Sequence, residues 1–258
     1  MSGNTTRRRT ARSLRVGLLG GALGALAAGC ESGPKDPPLV KPATTVSPYL
    51  TTQGVRVWAV APLINESGTT LADALGVSDK LVAALQEVRG ISCLPLNRTL
   101  EYLSAAEMQG VSTPADAAQL AEALGVDGVI VGTITAYNPY DPPTLGLSLV
   151  LYQRSGTRAS TLDVRRLAES PTAPATSSYR TAPSASVSLH LDGRNHEVLA
   201  AVQEYALGRT DERFPLGWRR YLASMDLFTQ FATHHAVDRL LAGERERMGP
   251  RVVRARDD

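Results

Sequence analysis

The chain has 258 residues, enough for one or two domains. It is 43% apolar and 20% charged, the ordinary balance of a chain that packs a core. Its formal charge of +2 comes from 27 basic and 25 acidic residues, but the first 30 residues carry five arginines (Arg7, Arg8, Arg9, Arg12, Arg15) and no acid, so the remainder counts 22 against 25, a net −3. A mildly acidic body gives no electrostatic reason to expect nucleic acid as a partner. In chain order, the basic "RRRTARSLR" leads into the 14-residue apolar run "VGLLGGALGALAAG" at 16–29, and Cys30 follows. A basic head, a short apolar run and small residues before a cut are the three parts of a secretory signal, here residues 1–29. Fourteen residues fall short of the roughly 20 that a helix needs to cross a bilayer.

The residues Ala27-Ala28-Gly29-Cys30 resemble the bacterial lipoprotein box, with Ala27 standing where leucine is usual. The resemblance implies that the Cys30 sulfur is lipidated, that the chain is cut before it and that the new amine is acylated. Several acyl chains together make a stable membrane anchor. Glu31, not the aspartate associated with inner-membrane retention, comes next, which favours an outer-membrane position facing the periplasm. An ordinary secreted protein with a chance cysteine is the alternative. The other cysteine, Cys93 in "GISCLPL", reads as a small hydrophobe in a buried strand. Residues 30–50 read as a flexible tether, with five prolines between Glu31 and Pro48.

The domain begins with "VRVWAVAPL", whose near-continuous apolar run predicts a strand buried on both faces. "INESGTT" reads as a turn. Leu71, Ala74, Leu75, Ser78, Leu81, Val82, Leu85 and Val88 then recur at helical spacing, with Thr70 and Asp73 as a capping box. "GISCLPL" is a second strand, and Asn97 is placed to cap a helix through "RTLEYLSAAEMQG". Thr113, Pro114 and Asp116 open the next helix and Gly125 stops it. "DGVIVGTITAY" and "LGLSLVLYQ" are the third and fourth strands. This order predicts an α/β fold, a mixed sheet of about four to five strands packed with helices and followed by a long C-terminal helix.

Over roughly residues 54–158 the pattern resembles a fold shared by several envelope proteins: the curli-secretion pore lipoproteins, the amino-terminal domain of the Tol–Pal periplasmic protein, and outer-membrane lipoprotein activators of peptidoglycan synthases. The residues that carry it are the turn Pro62–Gly68 after the first strand and the step Leu124–Asp127 before the third. The resemblance implies a fold and a compartment more than an activity.

In the second half, residues 155–185 form a low-complexity loop rich in Ser, Thr, Ala and Pro, with a short helix expected at 161–169. "SVSLHLDG" alternates, with Val187, Leu189 and Leu191 on one face and Ser186, Ser188 and His190 on the other. It is expected to pair with the fourth strand across that loop. A helix capped by Asn195 and stopped by Gly208 follows. The last helix is expected from Trp218 to Leu241, with Trp218, Leu222, Met225, Phe228, Ala232 and Leu240 in line and Leu227 and Phe231 widening the stripe. That stripe serves either packing on the sheet or, in a homo-oligomer, contact with a second copy. The boundaries drawn are 51–154 for the main α/β part, 186–245 for the strand and two helices that complete it, and 246–258 for a charged tail.

Few residues point to chemistry. "HEVLA" at 196–200 has the first half of a zinc-protease helix, but Ala200 stands where the second histidine belongs. His234 and His235 are adjacent, about 100° apart on a helix, and do not chelate from one face. "GVSDK" at 76–80 lies inside a helix and lacks the second glycine of a nucleophile elbow. Asp79 with Lys80 and the charge run 244–247 read as solvated surface. No catalytic, cofactor-binding or metal-binding residue is assigned, and Cys30 is the single site residue. The reading is a non-catalytic, membrane-anchored envelope lipoprotein that binds or scaffolds an envelope protein partner. The alternatives are a lipid-anchored enzyme without a recognisable motif and a component of a secretion assembly. A pore would need long amphipathic strands, and here they are short and interrupted.

Overall fold

A strand buried on both faces lies inside the sheet. In this computed structural model, which describes residues 40–154, 182–211 and 213–249, that strand is β1 (Arg56–Val60). The signal segment, Cys30, the first part of the tether, residues 155–181 with the helix expected at 161–169, and the tail from residue 250 lie outside the described residues. From Val57 on, Trp58 and Val60 enter one core and Val57, Ala59 and the next residue, Ala61, the other, so this run is apolar at every position.

The elements follow in the order β1, β2 (Ile64–Asn65), α1 (Ala74–Gln86), β3 (Ile91–Cys93), α2 (Leu96–Ala105), α3 (Pro114–Leu124), β4 (Gly128–Asn138), β5 (Thr144–Gln153), β6 (Ala185–Asp192), α4 (His196–Ala206), a 3₁₀ turn at Gly217–Arg219, α5 (Arg220–Ala223) and α6 (Met225–Met248). The strands form one mixed sheet in the order β3-β1-β4-β5-β6, with β2 also on β4. β1 runs parallel to β3 and β4, and helical crossovers make those parallel pairings. β4–β5 and β5–β6 are antiparallel. The sheet has six strands because Ile64 and Asn65, expected in a turn, pair with Thr133 and Ile134. β4 is eleven residues long and offers a free edge beyond the end of β1.

β6 pairs with β5 from Leu151↔Ala185 to Thr144↔Asp192, as its alternation predicts. Its serines and His190 are exposed, while Val187, Leu189 and Leu191 turn to the core. That core holds Leu145, Leu147, Leu149 and Leu151 of β5 under α1 and α6. Each such leucine contributes roughly 1.5–3 kcal/mol by leaving water. A smaller core on the opposite face packs Leu103, Ala117, Leu120 and Ala121 of α2 and α3 against Ala59, Ala61 and Val129. Beyond it, the outer part of that face is polar, with Ser186, Ser188 and His190 exposed and Ser148 partly buried.

Local signals decide the ends of α3 and α4. Thr113 and Asp116 make a capping box, Pro114 opens α3, and Gly125 closes it in a left-handed conformation. Asn195 caps α4 through the Glu197 N–H. Three expectations need correcting. Asp73, not Thr70, caps α1, accepting from the Gly76 N–H at 2.9 Å, so the buried stripe starts at Val77 and Leu71 and Leu75 face solvent. Pro95 precedes α2 with no side-chain cap, and Asn97 lies inside the first turn. The last helix is interrupted at Ser224, which is extended and caps α6 through the Leu227 N–H. Serine competes for backbone donors, and an apolar stripe running across it hides the break. Of that stripe, Phe228, Phe231, Ala232 and Leu240 are buried within this chain.

Candidate functional site

The chain reaches the domain through a strap, residues 40–53. It enters where α4 ends. Gly208 there has φ +73°, and a Cβ on it would lie 2.6 Å from the Val40 carbonyl oxygen and the Pro42 nitrogen. Further on, Val46 bridges Arg89 in parallel, with the Ser47 N–H donating to Arg89 O and the Arg89 N–H to Thr45 O, both at 2.9 Å. Arg245 of α6 donates to the Val46 carbonyl at 3.2 Å.

Tyr49 then turns inward. Its ring meets Trp58 edge-on at 6.0 Å, and its hydroxyl donates to Glu244. Glu244 is fully buried on α6. Its carboxylate also accepts from Gln153 Nε2 at 3.2 Å and from Arg247 Nε and Nη2 at 2.9 and 2.6 Å. Gln153 further donates to the Tyr49 hydroxyl. A buried carboxylate is tolerable when its lone pairs are filled by donors and a cation is close, and both conditions hold here. Burial first, and then the neighbouring Glu244, push the Tyr49 hydroxyl well above the ordinary tyrosine range, so it stays a donor. Glu244 therefore leaves the solvated charge run expected at 244–247. It continues the buried series Val237, Leu240, Leu241 at helical spacing, and that spacing is the signal that finds it. Tyr49 has a fainter signal, a lone aromatic closing a proline-rich stretch.

Beside this lock is a hollow of about 440 Å³ whose lining includes Lys41, Thr45, Glu87, Arg209 and His234. Thr45 donates to Asp238, whose other oxygen lies 3.4 Å from His234 Nδ1. Arg209 pairs with Glu87 at 2.8 Å and stacks on the Tyr205 ring at 4.3 Å. Burial lowers the His234 pKa, and Asp238 opposes that shift. The hollow binds strap to helices; its imidazole faces a carboxylate, a guanidinium and a phenol ring, and the Thr45 hydroxyl in its lining is committed to Asp238.

The residues singled out in the sequence fall in separate places. Cys30 lies outside the described residues. Cys93 is a buried free thiol, and burial pushes its pKa up to about 12, so it stays protonated. His196 is exposed at the first position of α4. Ser78 is buried; its hydroxyl donates to Ala74 O and accepts from the Leu63 N–H, which pins α1 to the bend between β1 and β2. Among the described residues no group of three His, Cys, Asp or Glu side chains is placed to hold a metal, and no helix is long and apolar enough to cross a membrane.

The two resemblance motifs have structural work. Asn65 accepts from the Ser67 N–H and donates to Thr69 O, closing a turn that needs Gly68 at φ +75°. Asp127 accepts the Val57 N–H at 2.9 Å and lies 3.9 Å from the buried Arg56, tying β1 to β4.

No protein-family model matches the chain, and no curated protein matches it. Among solved structures it is similar to lipoprotein GNA1162 from Neisseria meningitidis, at 18% identity over 56% of this chain and 90% of that one, with a TM-score of 0.37. It is similar to the LpoB C-terminal domain from Salmonella enterica, at 19% identity over 40% and 78%, with a TM-score of 0.30. The hypothetical protein CT253 from Chlamydia trachomatis aligns at 14% identity over 75% and 95%, with a TM-score of 0.33. These neighbours thus include lipoproteins, and none of the three alignments reaches a TM-score of 0.5.

Proposed function

We propose that this chain is a non-catalytic lipoprotein of the cell envelope, anchored through acylated Cys30, whose domain binds or scaffolds another envelope protein on the periplasmic side of the outer membrane. The observation that carries the proposal is the seated strap. Val40 meets the domain ten positions after Cys30, and Tyr49 is locked into the core by Glu244 and Gln153. Tension on an anchor at Cys30 would reach α6 and β5 directly, without unravelling a loose end first. The lipoprotein-like box before Cys30 supports the same reading. The open polar face at Ser186, Ser188 and His190 is the surface offered to the partner, because helices cover the other face of the same strands.

The test is mass spectrometry of the membrane fraction. A diacyl or triacyl mass on a peptide beginning at Cys30 supports the anchor, and an intact Met1 or an unmodified Cys30 refutes it. A photo-crosslinking residue at Ser188 reports the partner. Capture of one defined envelope protein supports the scaffold role, and an uncrosslinked chain in intact cells counts against this face.

A further inference from the structure

The connection between α4 and α5 exposes large apolar side chains that no folding argument requires. Leu207 is 49% exposed, Phe214 52% and Leu216 49%, and Trp218 follows them in sequence, half-buried with one side packed against the main core. Cations accompany them. The Arg219 guanidinium lies 4.8 Å over the Trp218 ring, and that of Arg220 5.7 Å from the Phe214 ring. Among the described residues neither arginine pairs with a carboxylate, whereas Asp211 in the same loop is engaged by Arg213 at 3.1 Å. Exposed leucine and phenylalanine, a tryptophan and uncompensated arginines in one loop are the composition that settles at a membrane interface.

The course of the chain says which surface this loop meets. The strap enters the domain at this loop, since Val40, itself 58% exposed, lies against Gly208. Nine residues separate Cys30 from Val40. Even fully extended, the ten steps from Cys30 to Val40 span no more than about 35 Å. An acylated Cys30 therefore keeps the loop at Leu207–Arg220 within a short reach of the bilayer. We infer that Leu207, Phe214, Leu216 and Trp218 dip into an anionic lipid surface while Arg219 and Arg220 meet its headgroups, fixing the orientation of the domain on the membrane. This rests on the Cys30 anchor proposed above.

Trp218 is the natural probe, because the chain has two tryptophans and Trp58 is fully buried. The full acylated protein is reconstituted into vesicles of phosphatidylethanolamine and phosphatidylglycerol with brominated acyl chains. The expected result is quenching of Trp218 emission by the brominated chains. That quenching should fall severalfold in Phe214→Ser/Leu216→Ser, confined to the loop, and in Arg219→Glu/Arg220→Glu, at the end of the 3₁₀ turn and the first position of α5. Mass spectrometry of the same sample reads the anchor separately. An acylated, vesicle-bound chain with unquenched Trp218 overturns the inference and leaves the anchor standing. A chain without acyl groups whose quenching still depends on Phe214 and Leu216 supports the lipid surface and refutes the anchor. Equal quenching on phosphatidylcholine vesicles at high salt overturns the assignment to anionic lipid.

Discussion

Tyr49 and Glu244 stand 195 positions apart and meet inside the protein, the hydroxyl of one donating to the carboxylate of the other. Replacing Tyr49 by Phe keeps the ring against Trp58 and removes this donor. Glu244 retains Gln153 and Arg247, and Gln153 retains Glu244, so the two lost bonds, one to Glu244 and one from Gln153, are expected to cost about 1–3 kcal/mol together. Urea unfolding measures it. Limited proteolysis gives a second readout: cleavage within 40–53 should quicken, because the strap loses its innermost bond. Unchanged stability and unchanged cleavage would show that the lock does not hold the strap.

The same pair shows what a sequence discloses. The ends of α3 were legible because Thr113, Pro114, Asp116 and Gly125 act within one turn of where they stand. The pairing of β6 was legible because Val187, Leu189 and Leu191 alternate with polar residues. Glu244 was half hidden: its spacing continues the buried series of α6, but two of its partners lie at positions 49 and 153, and a charged run normally belongs in water. The break at Ser224 was hidden for a related reason: apolar residues on both sides keep helical register, and only the Leu227 N–H shows that serine caps a new helix. β2 was missed because Ile64–Asn65 is too short to alternate and is a strand only by virtue of β4.

Arg56 and Asp127 form a second buried pair, each about 4% exposed or less, with 3.9 Å between the charged atoms. Asp127→Asn keeps an acceptor for the Val57 N–H but strands the Arg56 cation, and a loss of about 3 kcal/mol is expected. The double variant Arg56→Met/Asp127→Asn should recover most of it, since no buried charge is then left unmatched. A double-mutant cycle by urea unfolding checks this. A double variant as unstable as the sum of the two singles would mean that the ion pair is not the link between β1 and β4.

Stability should decline in alkali, and Cys93 should start the decline. Burial raises its thiol from an ordinary value of 9.0 to about 12. Between these values the unfolded chain has released the proton and the native chain still holds it. The unfolded state therefore binds fewer protons, and unfolding free energy falls with rising pH, by up to about 1.4 kcal/mol per pH unit for this group. Below pH 9 the effect is absent. Tyr205, raised by burial to about 12, adds its share only above pH 10. Cys93→Ala should flatten the slope between pH 9 and 10, as read from urea midpoints at stepped pH.

The acid side has the opposite sign. Burial lowers His234 and His235 below the ordinary value of 6.5. As pH drops past that value the unfolded chain takes up protons that the native imidazoles refuse, so stability falls. His234 faces Asp238, Glu87, Arg209 and Tyr205, and its loosening would be felt where Thr45 bonds Asp238. His234→Phe keeps a ring on Tyr205 and removes this titration. Its unfolding free energy should therefore depend less on pH between neutrality and about pH 5 than that of the parent.

Gly208 is the tightest point of the junction between strap and domain. Its φ of +73° disfavours any residue with a Cβ, and that Cβ would also press on the backbone of Val40, Lys41 and Pro42, which has no flexible end to move aside. Gly208→Ala thus meets two obstacles, backbone strain of about 1 kcal/mol or more and a steric one. The cheapest relief is for the strap to lift at its entrance while Tyr49 stays locked. Hydrogen exchange should then quicken at the Ser47 and Arg89 amides, which bond across this junction, and stay unchanged in β4 and β5. If exchange quickens evenly across the sheet, the strap and the domain open as one unit, and the anchor would pull on the whole fold at once.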